Sequence, residues 1–87
     1  MLEEAERQFE NLRSVITSGQ MVWTEDTRHS PCLYMGACPG FTVVVGKTGP
    51  SMACDGIMTC TSGAFNVIHL THKMAWFCYA AATTVRN

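Results

Sequence analysis

Apolar residues recur along the first fifth of the chain with a helical period. Leu2, Ala5, Phe9, Leu12 and Ile16 are spaced 3, 4, 3 and 4 apart, which gathers them into one stripe and predicts an amphipathic helix over residues 2–18. Glu3, Glu4 and Glu6 crowd its first turn, where the helix dipole favours negative charge. Glu3 and Arg7 stand four apart in the favourable order for an ion pair. Gly19 can adopt the left-handed conformation that ends a helix. The same 3-4 spacing also suits the seam of a coiled-coil dimer, the alternative to a helix that covers a sheet.

Past Gly19 the period shortens. Met21-Val22-Trp23 opens a strand that runs out in the polar stretch Thr24 to Ser30, and Ser30-Pro31 breaks any regular element. A short strand fits Leu33 to Met35, followed by a turn at Cys38-Pro39-Gly40. Phe41 to Val45 is one aromatic and four β-branched residues, apolar on both parities, and so predicts a central strand. Gly46-Lys47-Thr48-Gly49-Pro50 reads as a turn with Lys47 at a solvated tip. Met52 to Thr61 pairs back, with Asp55-Gly56 as a potential interruption, and Ala64 to Thr71 alternates as a further strand. Residues 74–80 carry both alanines and a cluster of Trp76, Phe77 and Tyr79; the aromatic content assigns them to one more strand. The expected architecture is α+β over a single domain, residues 1–87: an N-terminal amphipathic helix packed on an antiparallel sheet of about four to five strands.

Composition narrows the function. The chain is 47% hydrophobic and 15% charged, with a net charge of −1. Six basic residues, scattered from Arg7 to Arg86, form no basic face, so binding to nucleic acid through phosphate neutralisation is not expected. No stretch approaches the roughly 20 apolar residues that span a bilayer. The first residues lack the charge and apolar run of a secretory signal, and the chain reads as cytoplasmic, with reduced cysteines. Six methionines and eight aromatics on so short a chain leave apolar surface for a contact, and the near-zero net charge does little to oppose self-association.

Candidate chemistry lies in five cysteines and three histidines. His29 with Cys32, and His69 with His72, are pairs three residues apart that could supply the four tetrahedral ligands of a structural zinc. On a continuous strand, however, His69 and His72 would fall on opposite faces. The plainer reading makes the cysteines small buried apolar residues. A thiol nucleophile at Cys38, assisted by His29, His69 or His72, requires an approach that the spacing does not supply. Gly46-Lys47-Thr48 lacks the glycine and the following helix of a phosphate loop. Trp23, Trp76 and Tyr79 are the aromatic candidates for a partner contact. These readings converge on a non-enzymatic protein-binding module, such as a small inhibitor or regulator, acting through an exposed apolar sheet or helix face and meeting a protein partner or a second copy of itself. The alternative is a small zinc-stabilised adaptor domain, and a third reading is a thiol-dependent enzyme.

Overall fold

The computed structural model describes residues 2–28, 33–48, 52–61 and 66–86. In chain order the elements are α1 (Leu2–Thr17), β1 (Val22–Asp26), β2 (Leu33–Cys38), β3 (Phe41–Thr48), β4 (Ala53–Cys60), β5 (Asn66–His69) and α2 (His72–Arg86). The five strands form one antiparallel sheet in the order β1-β2-β3-β4-β5. Each strand pairs with the next along the chain, a meander that needs no crossover connection. The α+β class, the N-terminal helix and the central position of Phe41–Val45 agree with the sequence pattern.

α1 forms as its stripe requires. Phe9 and Leu12 are buried and Ala5 and Ile16 half-buried, and Gly19 ends the helix at φ 81°, a conformation that costs a side-chain-bearing residue about 1–2 kcal/mol. Arg7 pairs with Glu4 rather than Glu3, and Gln8 also donates to Glu4. Because Phe9 and Leu12 join the same core as Val43, Val45 and Met58, the stripe is taken up inside the molecule and is not a coiled-coil seam.

The assignment of residues 74–80 to a strand is corrected: they lie in α2. Thr71 is the N-cap, its Oγ1 accepting from the Met74 amide at 3.2 Å. Ala75, Cys78 and Ala82, at spacings of 3 and 4, are fully buried. This stripe of small side chains lets the helix lie close against β4 and β3, its main neighbours in the sheet. The aromatics that suggested a strand flank the stripe instead. Phe77 meets Phe9 of α1 edge to face at 6.0 Å and 82°, and Tyr79 meets Tyr34 of β2 at 5.3 Å and 81°. Arg13 lies 5.3 Å above the Phe77 ring.

Two further differences concern strand ends. β3 continues through Gly46, Lys47 and Thr48, so Lys47 belongs to a strand and not to a turn. β4 passes through Asp55-Gly56 without a break. At Gly56 an added Cβ would overlap the carbonyl oxygen of Val44 and press on Val45 Cα at 3.1 Å, so the close approach of β3 requires glycine there.

Both helices share one face of the sheet. Register places Trp23, Gly36, Val43, Met58 and Ile68 in one row across the strands, beneath the helices. Gly36 makes room for the Trp23 ring, since a Cβ there would sit 2.9 Å from Cζ3 of Trp23 and 2.8 Å from Sδ of Met21.

Candidate functional site

The alternation of strand side chains sends every second residue to the opposite face, where no described residue covers them. Three rows cross this open face, and Thr48 with Ala53 adds a short fourth where β3 ends and β4 begins. The middle row is Thr24, Met35, Val44, Ile57 and His69. On one side of it runs Val22, Ala37, Thr42, Thr59 and Val67, and on the other Asp26, Leu33, Gly46 and Asp55. Val22 is 66% exposed, Val67 61% and Met35 38%; Leu33, Val44 and Ile57 are half-buried by their neighbours. Hydrophobic and threonine side chains therefore dominate the face. The described strand residues of this face include no lysine or arginine. Its two aspartates stand in one row, where Arg28, from the turn after β1, pairs with Asp26 at 3.0 Å.

The relief of this face follows from Gly46. With no side chain between Leu33 and Asp55, a shallow hollow of about 240 Å³ opens there, bounded also by Ile57 and His69. That is below the roughly 300 Å³ at which small-molecule pockets begin. A second concavity lies between the helices, floored by Phe9, Met74 and Phe77 and rimmed by Glu6, Glu10, Arg13 and Lys73.

The aromatic candidates separate. Trp23 is buried, 5% exposed, on the helix-covered face, where its side chain is part of the core and not of a surface. Trp76 and Tyr79 lie together on α2, their rings 5.9 Å apart. Lys47 reaches up from β3 to place Nζ 4.9 Å from the Trp76 centroid and 5.3 Å from that of Tyr79. The two rings thus clamp α2 to the sheet through cation–π contacts, and Trp76 still leaves 46% of its surface exposed.

Of the zinc candidates, His29 and Cys32 lie outside the described residues. His69 ends β5 on the open face. His72 starts α2, and its Nδ1 is 3.0 Å from the Cys54 carbonyl oxygen. A carbonyl can only accept, so Nδ1 carries the proton there. Among the described residues no group of three His, Cys, Asp or Glu side chains gathers as a metal site would require.

The thiols follow the burial pattern. Cys54, Cys60 and Cys78 are buried, Cys38 is half-buried, and all four are free. Burial raises the pKa of Cys54 and Cys60, Lys47 partly offsetting it at Cys54, and pushes Cys78 up to about 12. Such thiols stay protonated and unreactive. Cys60 donates to Gln8 Oε1 at 3.6 Å and so ties β4 to α1. Cys38, the candidate nucleophile, has its thiol 3.6 Å from the Pro39 carbonyl. Its row runs through Phe41 and Cys60, whereas His69 pairs with Ile57. That offset is three residues along β4, roughly 10 Å, with three strand spacings to cross besides, and the two side chains point to opposite faces. His72 beside Cys54 is further along still.

Comparison with protein-family models, curated proteins and solved structures yields no match to this chain. Among the described residues, no helix is long and apolar enough to cross a membrane.

Proposed function

We propose that the chain is a non-enzymatic protein-binding module whose contact surface is the open face of the sheet. The observation that carries this reading is the exposure of Val22, Met35 and Val67 on a face that otherwise presents threonines and half-buried aliphatics. Exposed apolar side chains on three strands of one otherwise neutral to weakly acidic face are the kind of surface that marks interaction sites. The described strand residues of this face supply no lysine or arginine, and the neighbouring Arg28 is paired with Asp26, which disfavours a polyanion as partner. Enzymatic readings gain no support, because the buried thiols are held protonated and register separates Cys38 from His69 and His72.

A photocrosslinking residue placed singly at Met35, at Val67 and at Thr84 tests the reading in cells that make the protein. Thr84 is exposed on α2 and serves as the control. Adducts at positions 35 and 67 and none at 84 are expected. No adduct at 35 or 67, or equal labelling at 84, overturns the proposal.

A further inference from the structure

The open face also carries information about what covers it. Resting on the docking reading above, we infer that its occupant is a second copy of this chain, packed face to face about a two-fold axis that runs across the strands through Val44.

Symmetry makes the case. An isologous interface requires a surface complementary to itself. A two-fold axis along the Met35–Val44–Ile57 row reverses strand direction and lays each strand over its own copy. Residues two places to one side of the row then meet residues two places to the other. On β3, the central strand, those residues are Thr42 and Gly46. Thr42 is exposed, and the hollow lies over Gly46. Each copy therefore offers a small side chain where the other offers the space for one, at equal distances from the axis. The usual offset of about 30° between packed sheets disturbs this match least at the centre.

Charge agrees. The two aspartates of the face, Asp26 and Asp55, share one row, and Asp26 is paired with Arg28. The same operation carries that row over the neutral Val22–Thr42–Val67 row of the partner, so acid never faces acid. Had the axis run along the strands, β1 would lie over β5 and the partner's acidic row over this one, one strand spacing separating Asp55 from the second copy's Asp26. Area is sufficient as well: five strands about 4.8 Å apart and about six residues long give roughly 400–500 Å² of face in projection. Two copies cover roughly 800–1,000 Å² before side-chain relief is counted, close to the size at which specific interfaces begin.

The test is sedimentation equilibrium of the purified chain across the micromolar range, with Thr42→Lys, Met35→Lys and Thr84→Lys alongside. A wild-type dimer is expected. Thr42→Lys places an ammonium in the hollow, and Met35→Lys opposes two like charges near the axis. Each should weaken dimerisation at least roughly tenfold, while Thr84→Lys leaves it unchanged and circular dichroism confirms the fold of all three. Peroxide oxidation of Met35 in the unaltered chain gives a readout free of substitutions, and should slow as concentration rises through the dimerisation range. A wild-type monomer at several hundred micromolar overturns the inference, as does a dimer indifferent to both open-face substitutions or a Met35 oxidation rate independent of concentration. The docking reading fails separately, when the crosslinker at positions 35 and 67 captures neither a second copy nor any other chain.

Discussion

Val43 and Val45 point from β3 into the helices and keep about 1% of their surface exposed. Val44 between them points the other way, where no described residue lies over it. The residue type is identical at the three positions; what differs is what lies above each face. On the covered face the neighbours are unequal in size: Gly36 under Trp23, Gly56 against β3, and the small stripe Ala75, Cys78 and Ala82 of α2. On the open face half of the residues in the three rows are β-branched, valine, isoleucine and threonine among them. One face is shaped to receive particular neighbours within the molecule, and the other, apart from the shallow hollow at Gly46, is not. Interior packing punishes small changes of volume, whereas an exposed face tolerates them, and the two faces should respond to substitution accordingly.

The largest separation is expected between Met58 and Val67, which lie in adjacent strands on opposite faces. Met58→Ala removes a fully buried side chain and should cost about 2–5 kcal/mol. Val67→Thr, on the exposed side, should change stability by less than about 0.5 kcal/mol. Urea unfolding of the two variants checks the contrast, which breaks if their losses are similar. Gly56→Ala comes next: the added methyl meets backbone and not a mobile side-chain tip, so a loss of about 1–3 kcal/mol is expected by the same measurement.

The covered face should also reveal itself at high pH. Cys78 titrates at about 12 in the folded chain against an ordinary 9.0. The folded state keeps a proton that the unfolded state releases, so the contribution is complete below about pH 9. It then declines by about 1.4 kcal/mol per pH unit until about 12. Stability measured between those limits should fall less steeply in Cys78→Ala; equal slopes would place Cys78 in contact with water.

The smallest effect tests the clamp at the rim. Lys47 and Trp76 hold α2 to β3 across a partly exposed contact. A double-mutant cycle of Lys47→Met and Trp76→Leu should give a coupling of about 0.5–1 kcal/mol. Zero coupling would return Lys47 to the role of a solvated side chain.

The strands were legible in the chain because alternation and β-branching are local properties. Phe41–Val45 was recognisable as central because it is apolar on both parities, although those parities serve two very different faces. The segment of α2 reads as a strand from the sequence because Trp76, Phe77 and Tyr79 favour a strand by propensity. The cues against that reading were Thr71 as a cap and the 3-4 spacing of Ala75, Cys78 and Ala82. Those small residues gain their meaning from how closely a helix must approach β4. Lys47 was misplaced for a related reason: a glycine-flanked lysine looks like a turn until aromatic rings lie above it.

The sequence anticipated exposed apolar area; its aromatic candidates Trp76 and Tyr79 lie together, but on α2 over the covered face and not on the open one. It also named Trp23, which the core absorbs. It could not locate the surface. Met35, Val44 and Ile57 stand in three different strands, and only register sets them side by side.

The residues alone determined the first helix, the run of strands and the low charge, since each depends on neighbours a few positions away. Tertiary structure decided that the last segment is a helix, that both helices choose the same side, and that Cys38 lies far from His69. Those outcomes depend on contacts between distant segments, whose free energies no short window of sequence contains.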